Sequence, residues 1–364
     1  MAESGKNLPL LITGVGGGGV GSQLLKTLRL STLDYQIVGT DVSPKSKGLM
    51  EVDKPYLLPR ATDEAYIETL LRICQREGVK AVFPGSEPEL LKLSEHREVI
   101  ADAGIFMPIQ PRSVLEVCSD KDATMKFLAA QGFAVPKSVM VSQAADLEKV
   151  DFYPAVLKPS TGAGGSAGVM IAQSPQELQA LGSYMLNDYE GFLAQEYVGD
   201  IHSEYTIGVL TSMDAELINS VAIKRIINAG LGNRIRVKNR TNRKELGAIL
   251  AISSGLSQGE LGRYEEVTKP AERIALALGA TSAINVQCRL VMGEIYVFEI
   301  NPRYSGTTYM RAMMGYNEPD VMIRKHLLNE SIKPGFDYKE GLILRGLHER
   351  IIEEDKVIDI RKES

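Results

Sequence analysis

The residue types best suited to chemistry fall in one stretch, Asn285-Val-Gln287-Cys-Arg-Leu-Val-Met-Gly293-Glu-Ile-Tyr-Val-Phe-Glu299-Ile-Asn301-Pro-Arg303. Amide and carboxylate oxygens recur at every second position on either side of a glycine. Side chains alternate across a strand, so Asn285 and Gln287 share one face, Glu299 and Asn301 share another, and Phe298 and Ile300 are expected to point into apolar surroundings. A turn centred on Gly293 sets Gln287 opposite Glu299 and Asn285 opposite Asn301. Cross-strand partners lie about 5 Å apart, a gap that one cation can bridge. An all-oxygen ligand set suits Mg²⁺, which takes one or two carboxylates and fills its other positions with water and substrate phosphates. Arg303, just past the strand, can hold a phosphoryl oxygen. A solvent-facing strand alternating with core residues gives the same pattern, so the hairpin alone leaves both readings open.

Upstream lie the elements that must position these groups. Ser119 or Asp120 can cap a helix whose apolar stripe includes Met125, Phe127 and Leu128, with Gly132 at its stop. Tyr153 to Lys158 reads as a strand, followed by a turn containing Gly162, Gly164, Gly165, Ser166 and Gly168, then a second strand. Glycines let backbone N–H groups cradle a phosphate, and Lys158 at the strand end supplies charge. This turn lacks the G-K-[ST] ending of a P-loop and leads into a strand. Ser174-Pro-Gln-Glu177 predicts a capping box opening a helix over roughly 175–186.

The hairpin with its continuation FEINPRYSGTT resembles the metal-binding end of the ATP-grasp domain in the carbamoyl-phosphate synthetase large chain. The upstream motifs resemble that family's other parts in the same order, over residues 119–311. The resemblance implies a Rossmann-like N-terminal domain over residues 1–112, a lid subdomain over 113–190 and a C-terminal catalytic subdomain over 191–364. It also implies an ATP-dependent carboxylate–amine ligase that forms an acyl phosphate and releases ADP. In that scheme Lys121 and Lys158 hold the ATP phosphates and Gly164, Gly165 and Ser166 belong to a mobile lid. Glu196, Tyr197 and Val198 form the hinge beside adenine, and Glu204 accepts the ribose hydroxyls. Glu299 bridges two Mg²⁺ ions, with Mn²⁺ as an alternative metal, Gln287 on one ion and Asn301 on the other. Arg303 steadies the transferred group. Ser305-Gly-Thr-Thr308 offers N–H donors to an anion. The chain departs from the synthetase in having one such copy and nothing resembling its allosteric domain. Carbamoyl phosphate synthesis is therefore not expected, and an amino acid, peptide or sugar acid is the expected kind of substrate.

The N-terminal part carries a competing signal. Gly14-Val-Gly16-Gly-Gly-Gly19-Val-Gly21 matches the G-x-G-x-x-G of a dinucleotide fold, and Asp41 ends the next strand. The same glycines permit any tight strand-to-helix turn, so structural or substrate-lining use is the expectation and an NAD(P)-dependent oxidoreductase the rival. A nucleotide-binding protein without turnover is a second rival. From Lys224 to Lys244 eight cations occur with no acid. Arg234, Arg236 and Lys238 alternate, placing three cations on one strand face, which we expect to neutralise phosphates and an anionic co-substrate.

A length of 364 residues suits two or three subdomains, and 44% hydrophobic with 24% charged residues is the balance of a folded globular chain. A net charge of −5 argues against a nucleic-acid partner. No run of about 18 apolar residues calls for a membrane, and no leader is recognised, so a cytoplasmic setting is expected. Cys74, Cys118 and Cys288 fall outside any zinc spacing and are expected as reduced thiols. A homodimer is the default assembly.

Overall fold

The structure, a computed structural model, describes residues 7–160, 168–227, 232–346 and 356–362. Near its start, short apolar runs such as Leu8–Ile12 and Ala81–Phe83 are buried because they lie inside a parallel sheet covered by helices. That sheet has four strands, β1 (Leu8–Ile12), β2 (Tyr35–Asp41), β3 (Lys54–Leu57) and β4 (Ala81–Phe83), in the order β3-β2-β1-β4. The chain reverses its direction of travel across the sheet between β1 and β4, so a crevice opens beyond their carboxyl ends. The glycine loop after β1 and Pro84–Glu89 after β4 flank it. A Cβ on Gly85 would sit 1.9 Å from the Thr13 carbonyl oxygen, and one on Gly21 2.3 Å from that of Gly14. These two glycines serve close packing of strand, loop and helix.

A second, antiparallel sheet joins β5 (Ser138–Val141), β6 (Ala155–Pro159), β7 (Met170–Ala172) and β8 (Phe192–Glu196) in the order β5-β8-β6-β7. The sheet thus extends past residue 190, where the sequence reading divides the chain. Helix Pro175–Asp188 packs on it, and Val141, Leu157, Leu178 and Phe192 form its own core. The helix starts as expected, with Ser174 Oγ accepting from Glu177 N at 3.2 Å. The capping box is only half formed, because the Glu177 carboxylate reaches one residue further back to Gln173 N, at 2.9 Å.

The third sheet is antiparallel and the largest. It contains β9 (Glu204–Thr211) and β10 (Leu217–Arg225). A separate two-stranded ladder, β11 (Asn233–Lys238) and β12 (Ile249–Ser253), follows in sequence. The large sheet continues with β13 (Gly259–Gly262), β14 (Ala283–Val291), β15 (Glu294–Asn301) and β16 (Gly341–Ile343), in the order β15-β14-β9-β10-β13-β16. Helix Glu265–Leu278 lays Val267, Ala271 and Ile274 across one face. The short strand opening at Gly341 is β16, and residues 347–355 lie outside the described residues. The chain is thus mixed α/β, a parallel sheet followed by antiparallel ones.

The first and third sheets share a core, in which Leu10, Ile12 and Leu24 meet Leu210, Ala283, Met322 and Ile323. Asp320 ties them further, accepting from Tyr35 Oη at 2.5 Å and Ser31 Oγ at 2.6 Å. Among the described residues no helix is long and apolar enough to cross a membrane.

Candidate active site

The β14–β15 hairpin turns at Met292-Gly293, where both φ angles are positive (52° and 82°), as a two-residue primed turn requires. From so tight a turn Gln287 would face Phe298. A bulge at Phe298 shifts the ladder instead, so that Gln287 pairs with Glu299 and Asn285 with Asn301. The expected pairing is therefore present, reached by a two-residue turn plus one bulged residue. The bulge also corrects one expectation. Val297 and Ile300 are the core residues, whereas Phe298 is half-buried and turned into the cleft.

Three clefts meet at this hairpin. The first, about 780 Å³, is lined by apolar side chains including Val156, Val198, Ile252 and Phe298, and by Lys121, Lys158 and Glu299 at its charged part. A second, about 470 Å³, lies between Glu87, Lys121, Glu299 and Asn301. The third, about 510 Å³, is lined by Arg225, Gln287, Glu299, Asn301, Arg303 and a series of serines and threonines. Glu299 borders all three.

Lys158, 6% exposed, donates from Nζ to Gln195 Oε1 (2.7 Å) and to the Phe298 carbonyl (2.9 Å), on the residue that the bulge leaves without a ladder partner. Burial lowers its pKa to about 7, with Glu299 opposing and Lys121 reinforcing the shift. Lys121 opens helix Lys121–Ala130, capped by Asp120, which accepts from Asp122 N at 2.8 Å and Ala123 N at 3.2 Å. At the hinge, Glu196 N donates to Lys137 O and Tyr197 N to Pro154 O. The Val198 carbonyl accepts from Arg289 Nη1 at 3.1 Å. The Val198 N–H has no partner among the described residues, and Val198 lines the first cleft.

Glu204 does not stand free beside this cleft. It is 2% exposed and clamped between Arg225 (3.1 Å) and Arg289 (3.1 Å), the latter stacked 4.3 Å over the Tyr197 ring. The ladder causes this, since Arg289 lies directly opposite Glu204. The sequence reading missed Arg289 as a site residue, although the strand alternation that paired Gln287 with Glu299 also carried it. Gln287 donates Nε2 to Glu299 Oε2 (2.5 Å) and accepts on Oε1 from Arg225 (3.2 Å). Its amide oxygen is thus turned away from Glu299, and ligating a cation there requires the amide to rotate. Asn301 Oδ1 accepts from Arg303 Nη2 at 2.9 Å. Asn285, on the same face, anchors structure beneath the site, accepting from Thr206 Oγ1 (2.9 Å) and from buried Arg311 (2.7 Å).

Two expectations are corrected. The Ser305–Thr308 turn does not offer a set of open N–H donors: Ser305 N donates to Thr308 Oγ1, Thr307 N to Ser305 Oγ and Thr308 N to Ser305 O. Threonine and serine hydroxyls so close in sequence satisfy the turn internally. The cationic face of β11 is exposed as its alternation predicts, yet Arg234, Arg236 and Lys238 line none of these three clefts. Ile235 and Val237 are the inward residues, packed near Tyr197 and Leu250, so the cations face solvent. Of the cations in that stretch, Arg225 lines the third cleft and Arg243 pairs through Nη1 with the hinge residue Glu196 at 2.8 Å. Gly164, Gly165 and Ser166 lie outside the described residues.

Residues 118–307 match the family model for the ATP-grasp domain, just over half of the chain, and residues 10–108 match that for the PylC-like N-terminal domain. The chain belongs to the ATP-grasp family. This is a family of ADP-forming ligases that make carbon–nitrogen bonds from ATP, small carboxylates and amines, with Mg²⁺. A carbamoyl phosphate synthase large chain from Thermoplasma volcanium is 24% identical over 78% of this ATP-grasp chain and 26% of its own length. The chain thus spans about a quarter of the length of such curated relatives. Among solved structures, N5-carboxyaminoimidazole synthetase from Staphylococcus aureus (TM-score 0.61, 14% identity, 94% of this chain and 82% of that one) shares the fold. So does L-amino acid ligase from Bacillus licheniformis (0.59, 19%, 89% and 75%).

The site fits the nucleotide and metal of the ATP-grasp family. An apolar slot beside a hinge N–H that has no partner among the described residues suits a planar base, and two lysines beside one carboxylate suit a phosphate chain. Among the described residues no group of three acids, histidines or cysteines gathers to hold a metal alone. Glu299 with the Asn301 and Gln287 amides suits Mg²⁺ held jointly with phosphate oxygens.

Proposed function

We propose that this chain is a carboxylate–amine ligase working through an acyl phosphate. The observation that carries this reading is the convergence of an apolar lysine-bearing slot and a polar arginine-bearing pocket on one carboxylate, Glu299. A phosphate donor in the slot and an acid in the pocket would meet there. Phosphoryl transfer asks for positioning and charge neutralisation more than for covalent help from side chains. Lys121 and Lys158 hold the phosphates, and Arg303 steadies the transferred group. Glu299, Asn301 and Gln287 would hold Mg²⁺, two ions in this reading, which would supply Lewis-acid neutralisation of phosphate charge. A carboxylate oxygen of the acid attacks the γ-phosphorus and ADP leaves. The amine nitrogen then attacks the acyl carbon, phosphate leaves, and the nitrogen loses a proton. Glu204, with both arginines on it, orders the hinge in this reading rather than accepting ribose directly. The reading extends the lid of residues 113–190 to take in β8 and keeps a homodimer and a cytoplasmic setting, the last in keeping with three buried free thiols.

An oxidoreductase is disfavoured by Asp41. Its Oδ2 accepts from Gly16 N (2.8 Å) and its Oδ1 from Ser43 N (3.2 Å), so the acid that would read a ribose closes its own loop. The polar pocket disfavours a nucleotide binder without turnover, because binding a nucleotide gives that pocket no purpose.

Thermal unfolding of the wild type with MgATP, and separately with NAD, tests the reading. A ligand at 100 times its Kd adds about 2.7 kcal/mol. The expected result is stabilisation by MgATP that Lys158→Ala and Glu299→Gln lose, followed by acid- and amine-dependent ADP release. Stabilisation by NAD alone would return the Gly14–Gly21 loop to the centre.

A further inference from the structure

The pocket on the far side of Glu299 from the apolar slot has no apolar side chain in its lining. Thr206, Ser253, Ser257, Ser305 and Thr307 bring hydroxyls to it, and Arg225 and Arg303 bring charge. Arg225 is neutralised by Glu204 at 3.1 Å. Arg303 is not paired in this way. Its Nη1 donates to the Tyr304 carbonyl (3.0 Å) and its Nη2 to Asn301 Oδ1 (2.9 Å), with no carboxylate at ion-pair distance among the described residues.

A third guanidinium, that of Arg345, lies just behind the pocket wall: it is not among the lining residues but bonds to one of them. Arg345 follows β16, and its backbone N donates to Gln258 Oε1 (3.3 Å), next to pocket residue Ser257. Its Nη2 donates to the carbonyl of pocket residue Gly306 and to Gln23 Oε1 (3.3 Å), on the helix that follows the glycine loop. The side chain is half-buried, and no described carboxylate pairs with it. Burial and the nearby Arg225 lower its pKa to about 10. A guanidinium drawn out of water beside another cation, bonded only to neutral oxygens, is unfavourable unless an anion joins it. Arg303 and Arg345 hold carbonyls two residues apart on one loop, a stretch of chain of at most about 7 Å. Two planar guanidinium forks held on one short loop can serve two anionic groups of one small molecule.

We propose that Arg345 anchors a second anionic group on the acid that this site activates, so that the acid is a small hydrophilic molecule with two anionic groups. One group reacts beside Glu299 and Arg303. The other, a carboxylate or a phosphate, sits on Arg345, and hydroxyls line the space between. The proposal rests on the ligase reading, from which it takes only that the polar pocket is the acid's.

Calorimetric titration of the full chain tests it, using malonate, succinate, glutarate and inorganic phosphate against propionate and butyrate at fixed ionic strength, with MgATP titrated in parallel. The expected result is a dicarboxylate or phosphate binding at least about tenfold tighter than the monocarboxylates, a preference lost in Arg345→Met and Arg345→Gln and partly kept in Arg345→Lys. The glutamine variant decides the matter if the methionine variant fails to fold, since its amide still donates to the Gly306 carbonyl. MgATP affinity stays unchanged in the folded variants. Equal binding of the two acid classes, no binding of either the dicarboxylates or phosphate, or a preference retained in Arg345→Gln overturns the proposal and leaves the ligase reading standing. Phosphate binding without dicarboxylate binding upholds the anchor and identifies the second group as a phosphate. Failure of the wild type to bind MgATP counts against the ligase reading, whatever the acids do.

Discussion

A buried lysine with a pKa near 7 links nucleotide binding to protons. Lys158 titrates at about 7 in the folded chain against an ordinary 10.5, because burial disfavours its charged form. Between those values the unfolded chain holds more protons than the folded one, so this group makes stability rise with pH across that window and contributes no pH dependence well below it. A phosphate beside Nζ favours the ammonium and drives the pKa back up. At pH 8, where the free protein holds Lys158 largely neutral, binding MgATP is therefore expected to take up a substantial fraction of a proton. Titrations in buffers of different ionisation enthalpy measure this uptake, and Lys158→Met should abolish it. A binding enthalpy at pH 8 that is the same in every buffer would show that Lys158 does not meet the phosphates.

At the scale of elements, β9 carries a glycine where its sequence otherwise alternates bulky residues. An ideal Cβ on Gly208 would lie 2.1 Å from Arg311 Nη1, in the space where that fully buried guanidinium pairs with Glu318 (2.9 and 3.2 Å) and Asn285 (2.7 Å). The missing Cβ thus admits an ion pair into the seam beneath the Asn285–Asn301 end of the hairpin. Gly208→Ala displaces the arginine, and Glu318→Ala strands it. Removing one partner of a buried pair costs about 3–5 kcal/mol, so each substitution should lower the urea midpoint with an unchanged slope. A loss under about 1 kcal/mol for Glu318→Ala would mean that water reaches Arg311. The strands, their register at Asn285 and Gln287, and the Asp120 cap were legible in the sequence because they follow from period-two alternation and local capping. The bulge at Phe298 was not, since one extra residue leaves no mark on composition. Neither was the clamp on Glu204. Arg289 and Arg225 reach it from the two strands flanking β9, and only the assembled sheet β14-β9-β10 brings both to one carboxylate.

For the whole molecule, the division of cores sets what can move. The parallel sheet and the large antiparallel sheet share one core, and buried polar contacts lock it from both sides. Gln110 donates Nε2 to Ala283 O (3.0 Å) and accepts from Thr281 N (2.9 Å), while Asn317 Nδ2 donates to Thr27 O (2.8 Å). The four-stranded sheet β5-β8-β6-β7 has a core of its own, and beyond it meets the rest through Leu193 of β8, which enters the core of the large sheet, and through Ile171 and Val156 against Tyr197 and Leu250. Fewer shared apolar contacts make the smaller sheet the unit of lower opening free energy. Lys158 at the end of β6, bonded across the cleft to the Phe298 carbonyl, lets a nucleotide between the two units act as a further link. Hydrogen exchange should therefore show amides of β6 and β7 exchanging faster than those of β1 and β14 in the free protein. MgATP should slow β6 and β7 severalfold more than β1. Equal protection of all four strands by MgATP would mean that the small sheet opens only with global unfolding, and that nucleotide enters a cleft whose walls are already fixed.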